Sequence, residues 1–357
     1  MKRLFFLSLI ILFLPIYTVI IVKAEEIQIN SQLVSVDERE IEITILTIPT
    51  DIDFATDIGL GDKIVGGTEA LSDMAKRRTA RLAINGTFFN PEDYNNNTPT
   101  EPYGTLIREG RVLHVGNYGA TVGFDRNGNV FIEQLRIKIE GGSDGSYTWP
   151  NNWYAYGFNH TPSGPDSSSV YIYTPERGEK VGFNYGTKVV VSNGKVAGIV
   201  RNQDTIIPRD GFVIVMTGAE RQLESVFTVG KTVEYRIRYE DVDQNDISFD
   251  YYTAVGAGPM LVDNGRVLTN YREQGFTSNK ILSAGGRRTA LGVKNDGTMM
   301  IVLANRVTVE EMANIMKQLD AVEAMNLDGG ASSGAWFDGK YIVDPGRKLS
   351  NALLFFE

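Results

Sequence analysis

Residues 308–339 read TVEEMANIMKQLDAVEAMNLDGGASSGAWFDG. Thr308, followed three positions later by Glu311, is a capping box: each side chain can take a backbone N–H that the first helical turn leaves unpaired. Met312, Ile315, Met316 and Leu319 recur at helical spacing and predict one apolar stripe. AVEAMN then reads as a short strand, and it runs into Asn326-Leu327-Asp328-Gly329-Gly330. A turn needs one glycine at most. A carboxylate beside two glycines, with Ser332 and Ser333 behind it, implies backbone that comes close to a ligand. The plainer role for Asp328 is a turn former, since aspartate bonds its own backbone in turns.

The same order occurs earlier. In TEALSDMAKRR, Leu71, Met74 and Ala75 share one helical side, and ARLAINGTFFN follows as a strand ending in Asn85. The two segments read as related helix–strand–asparagine units whose strand ends face one cleft. Elsewhere turns dominate. Asn127-Gly128, Asn193-Gly194, Asn264-Gly265, Asp296-Gly297 and Asp338-Gly339 each separate β-prone runs, and Glu109-Gly110 is a sixth, weaker signal. The expected fold class is α+β: a mixed, mostly antiparallel, twisted or barrel-like β core with a few flanking helices.

Residues 1–24 carry Lys2 and Arg3, a long apolar run and Val22-Lys23-Ala24, the pattern of a secretory signal peptide cut after Ala24. An uncleaved anchor is the alternative, because the run is near the length that spans a bilayer. Residues 25–357 are then one domain, exported to the cell surface or medium, with no membrane contact after cleavage. A loop insertion is expected at 141–170, rich in Gly, Ser, Asn and aromatics. There Trp153, Tyr154 and Tyr156 either stack on sugar rings or pack inward. The chain has no cysteine, which excludes thiol catalysis, disulfides and Cys-metal sites and suits a bacterial exported protein. Its net charge is −9, without a basic tract, which argues against nucleic acid as a partner.

Four further groups stand out. Arg287 and Arg288 in GGRRTALGV suit bidentate contact with phosphate. Neighbours on a regular strand point to opposite faces, so at most one faces a site; two solvated surface arginines are the plainer reading. Asn85, Gly86 and Thr87 offer polar groups at a tight strand end, with Phe88 and Phe89 as bulk. Asp344 and Arg347 flank Pro345-Gly346, a turn able to aim both at one place. The only histidines, His114 and His160, have no partner at ligand spacing, which disfavours a His-based metal site or a Ser-His-Asp triad.

Taken in order, AINGTFFN, GAGPMLVDNG, GGRRTALGV and MNLDGGASSGAWFDG resemble the phosphodiester glycosidase family, which includes the lysosomal enzyme that removes N-acetylglucosamine from a mannose 6-phosphodiester. The resemblance implies hydrolysis of the C1–O bond of sugar-1-phosphodiesters of the N-acetylglucosamine type, in cell-wall polymer or exopolysaccharide. A phosphate ester leaves readily, so one carboxylate at C1 and cations or N–H groups at the phosphate suffice. The implied roles are Asp328, Arg287 and Arg288 in catalysis, and Asn85, Gly86, Thr87, Asn326, Gly329, Gly330, Ser332, Ser333, Asp344 and Arg347 in binding substrate. No cofactor is required, no metal site is assigned, and room remains for a single Ca²⁺ on Asp and backbone oxygens. The chain departs from the family at Ala331, where a third glycine is common; its methyl narrows the approach to the loop. A catalytically silent carbohydrate-binding cell-surface protein on the same fold is the alternative.

Overall fold

Strand Met299–Val307 sets the architecture, because it is apolar on both faces. Met299, Ile301 and Leu303 belong to the main core, whereas Met300, Val302 and Ala304 pack with the helix Val309–Gln318. A strand covered on both sides reads as a continuous apolar run, not an alternation. It lies inside a seven-stranded sheet in the order Gln28–Val36, Arg39–Ile48, Met299–Val307, Gly286–Lys294, Ala321–Asn326, Met260–Asp263, Arg266–Val267, and every pairing is antiparallel. The computed structural model describes residues 26–50, 54–96 and 98–356; the expected signal peptide, 1–24, lies outside them. No helix among the described residues is long and apolar enough to cross a membrane.

The capping box forms as read. Thr308 Oγ1 accepts the Glu311 N–H at 3.1 Å, and Glu311 Oε2 accepts the Thr308 N–H at 2.7 Å. Met312, Ile315 and Met316 are fully buried beneath the helix. The main core lies between this sheet and two five-stranded sheets. One of these has Leu82–Asn85 at its centre, between Ala335–Phe337 and Asn351–Phe356, with the helix Leu71–Arg78 packed on it through Leu71, Met74 and Ala75. The other holds Thr253–Gly256 between Leu106–Arg108 and Thr121–Phe124.

A further core joins a three-stranded sheet to a third five-stranded one, where Gly157–Phe158 and Ser169–Tyr173 make the one parallel pair among the described strands. The sheets are mixed and mostly antiparallel, as expected. They stay open and do not close into a barrel. All six turn signals join adjacent antiparallel strands. At 109–110, 193–194, 264–265 and 338–339 both residues have positive φ, as a two-residue hairpin turn requires. At 127–128 and 296–297 only the glycine does.

Segment 141–170 is mostly turns and irregular backbone, interrupted by short strands such as Trp153–Ala155, which pairs with Arg136–Ser143. Trp153 is buried and donates its indole N–H to Gly142 O at 3.0 Å, so it packs inward and is not available to a sugar. Tyr154 and Tyr156 stay exposed and both donate to Glu220.

Candidate active site

The two helix–strand units meet. After Ala321–Asn326 the chain leaves the sheet, and the Asp328 N–H donates to Gly86 O at 3.1 Å. The Asn85 side-chain amide donates to Asp328 O at 2.8 Å, so the strand end at 85–86 clips both backbone groups of Asp328. Asn85 Oδ1 in turn accepts from Thr289 Oγ1 at 2.8 Å and the Gly334 N–H at 3.0 Å. A side chain at Gly86 would collide with Asn351 Oδ1, which accepts the Thr87 N–H at 2.9 Å.

Asp328 is half-buried at the base of a cleft of about 780 Å³. Burial raises its carboxyl strongly. The Ser332 hydroxyl, the Gly329 N–H and the charges of Arg347 and Arg288 pull it down only partly, leaving it pushed up to about 7. The Gly329 N–H reaches Oδ1 at 2.8 Å. The doubled glycines answer to two needs. Gly330 has φ +63°, which a side chain resists, whereas a Cβ at Gly329 would sit 3.0 Å from Arg287 O. The next turn is 3₁₀, with Ser332 N–H on Gly329 O and Ser333 N–H on Gly330 O. The N–H groups of Gly330 and Ala331 have no acceptor among the described residues, and both residues line the cleft.

The arginines differ. Arg288 is buried, and its Nε and Nη2 donate to the carbonyls of Val307, Lys280, Ile281 and Ala284. It is a fixed cation whose remaining nitrogen, Nη1, lies beside Gly329. Arg287 is exposed and donates to Asp344 O at 3.0 Å. The strand register shifts between Gly286 and Arg288, and with that irregularity both residues line the cleft, where a regular strand would present one. The Asp344–Arg347 turn docks on the Asp328 loop through Gly346 N–H to Ala331 O at 2.8 Å. Arg347 lines the mouth without a side-chain partner among the described residues.

Several expected ligands face elsewhere. Asn85 and Asn326 are buried and outside the cleft, and Asn326 donates to Gly258 O and Leu327 O. Thr87 is buried and accepts the Gly104 N–H at 3.0 Å. These residues brace the loop, because the side-chain amides of Asn85 and Asn326 and the Thr87 hydroxyl all bond backbone groups. Gly86 does the same. Ser332 bonds Asp328, Ser333 points to a separate pocket behind, and Asp344 reaches the site only through its carbonyl. Phe276 and Tyr118 were not legible in the sequence; in the cleft lining Phe276 stands edge-on to Phe88 and Tyr118 at 6.2 and 5.5 Å. Lys280 and Glu92 are also in the lining. The signal available was the long polar stretch 268–285, ending at the arginine pair, since such loops are commonly functional. Among the described residues no three His, Cys, Asp or Glu side chains gather as a metal site.

The cleft thus holds a carboxyl raised by burial together with arginines, a lysine and aromatic rings. The sequence model of the phosphodiester glycosidase family matches residues 185–356. The fold is shared with a hypothetical protein from Synechocystis, at TM-score 0.79 and 23% identity over 92% of this chain and 61% of that one. It is shared too with a Burkholderia pseudomallei K96243 protein described as exported, at TM-score 0.72 and 22% identity over 89% and 74%. An uncharacterised protein of Rickettsia conorii is 27% identical over 125 residues, 35% of this chain and 41% of its own length. The matches thus span under two thirds of the Synechocystis and Rickettsia proteins.

Proposed function

We propose that the protein hydrolyses the C1–O bond of sugar-1-phosphodiesters, with Asp328 as the general base. The observation that carries this reading is a carboxyl raised by burial to about 7 in a cleft that it shares with arginines and aromatic rings. The phosphate lies against Arg347, the exposed face of Arg288 and the Gly330 and Ala331 N–H groups. The sugar ring rests on Tyr118 and Phe276. Ionised Asp328 takes one proton from a water that attacks C1; the C1–O bond breaks, and its electron pair leaves with the phosphate monoester. The sugar keeps the water oxygen as its anomeric hydroxyl. A carboxylate near 7 is matched to this task at neutral pH, because it is basic enough to accept the proton and about half of it is ionised.

The natural substrate class is a phosphodiester-linked glycan of the N-acetylglucosamine type, in cell-wall polymer or exopolysaccharide, and the protein acts after export. A Ca²⁺ bound by one carboxylate and backbone oxygens is a separate proposal, checked by activity before and after chelation.

The test is release of free sugar and phosphate monoester from an N-acetylglucosamine-1-phosphodiester. Asp328→Asn should lose about 10²–10⁴-fold in turnover and keep its affinity. Equal turnover by both proteins contradicts the assignment. Binding by wild type with no turnover of any sugar phosphodiester supports a silent carbohydrate-binding protein instead. Below about 7 Asp328 is protonated and cannot accept a proton, so kcat/KM should rise with pH through about 7. A profile that falls there would make Asp328 an acid.

A further inference from the structure

The chain's two histidines, 46 residues apart in sequence, meet with ring centroids 5.7 Å apart. They line a second pocket of about 380 Å³, which shares Tyr103 and Tyr118 with the wall of the first cleft. The two chambers have opposite character. The first carries three arginines and a lysine; no Lys, Arg, Asp or Glu lines the second, where four tyrosines and both histidines stand beside Asn117, Pro102, Val115 and two glycines.

His114 is 3% exposed. Its Nδ1 lies 2.9 Å from Gly104 O, a carbonyl that can only accept, so Nδ1 carries the hydrogen. Burial holds the ring well below the ordinary histidine range, at about 4, so it is neutral. Nε2 is then a bare lone pair, and it has no partner among the described residues. A buried acceptor without a donor is costly and calls for one.

The neighbouring ring is fixed in place. Glu101 Oε2 sits 2.9 Å from His160 Nδ1, and Oε1 accepts from Arg177 Nη1 at 2.6 Å. Burial pushes Glu101 up, but His160, Arg177 and Thr161 more than offset it and hold the carboxyl at about 2. At the rim, Tyr156 donates to Glu220 at 2.7 Å, and Tyr171 stands edge-on to His160 with centroids 5.0 Å apart.

We propose that this second pocket is a subsite for a neutral sugar unit of the glycan, whose hydroxyl donates to His114 Nε2 while its C–H face rests on the tyrosines. The assignment rests on the reading of the first cleft as a sugar-phosphodiester site, and it adds that the enzyme recognises more of the polymer than the phosphodiester link. A chamber rich in aromatic rings, lined by no Lys or Arg and holding one buried acceptor, suits a hydroxylated ring better than a phosphate.

With only two histidines, histidine-selective NMR of the full chain resolves the question without turnover. His114→Phe assigns the signals by removing one. N-acetylglucosamine, glucose and galactose, each at about 10 mM, would fill a millimolar site. At least one should move the His114 ring signal in wild type and equally in Asp328→Asn, and inorganic phosphate should leave it unmoved. His114→Phe should weaken binding of that sugar about five- to tenfold. No shift with any of the three sugars overturns the subsite, as does an equal shift with phosphate. The two readings fail separately: a His114 shift in a protein without turnover spares the subsite and removes the glycosidase, and turnover without a His114 shift does the reverse.

Discussion

The two helix–strand–asparagine units do different work with one design. Leu71–Arg78 leads into Leu82–Asn85, and Val309–Gln318 into Ala321–Asn326. Each strand ends in a buried asparagine whose amide donates to backbone carbonyls. In the first unit the next residues are Gly86 and Thr87, and all their described bonds are structural. In the second the chain continues to Asp328, whose side chain enters the cleft. The asparagines are the shared scaffold; the acid is the departure. What the pair teaches is that the polar residue at a strand end is a poor guide to the reacting group, because backbone groups leaving a sheet need partners first.

The comparison is broken most severely at its acid. Burial raises Asp328, so its folded form is favoured below the unfolded carboxyl range and penalised as pH rises from about 4 to about 7. Asp328→Asn removes that penalty together with the activity. Its Tm should match wild type near pH 4 and exceed it above pH 7, as thermal melts across pH would show. An unchanged difference at all pH values would mean the carboxyl is not desolvated.

Arg347→Ala removes a cation whose side chain has no hydrogen bond or ion pair among the described residues. KM for a phosphodiester should rise about tenfold or more with Tm unchanged, since a charge-assisted contact is worth about 1.5–3 kcal/mol. Asn85→Ala tests the scaffold. It strands Asp328 O and the donors of Thr289 and Gly334, so denaturant titration should show a loss of about 1–3 kcal/mol, with kcat falling because the loop loosens. The smallest effect falls on the second unit's helix. Thr308→Ala should cost about 1 kcal/mol in the same titration and leave kcat and KM untouched.

What the sequence made legible is local chemistry. The capping box, both helix stripes and six hairpin turns depend on neighbours a few residues away, and each formed as read. The convergence of the two strand ends was legible as well, because the units share one order. The asparagines' task was not, since Asn85 reaches Asp328 across 243 residues. Nor was the register shift that brings both Arg287 and Arg288 to the cleft, because it depends on the pairing partner Met299–Val307. Trp153 read equally as a platform for sugar or as an inward-packed ring, and it fills the space above Gly141. The histidines read as isolated because spacing shows nothing of a contact made between separate strands and loops.

The central claim is that the bond broken is C1–O. Hydrolysis of an N-acetylglucosamine-1-phosphodiester in water enriched in the heavy oxygen isotope decides it, with both products weighed by mass spectrometry. The account predicts the label in the anomeric hydroxyl of the released sugar and none in the phosphate monoester. Label in the phosphate would mean that P–O is cleaved and would contradict it.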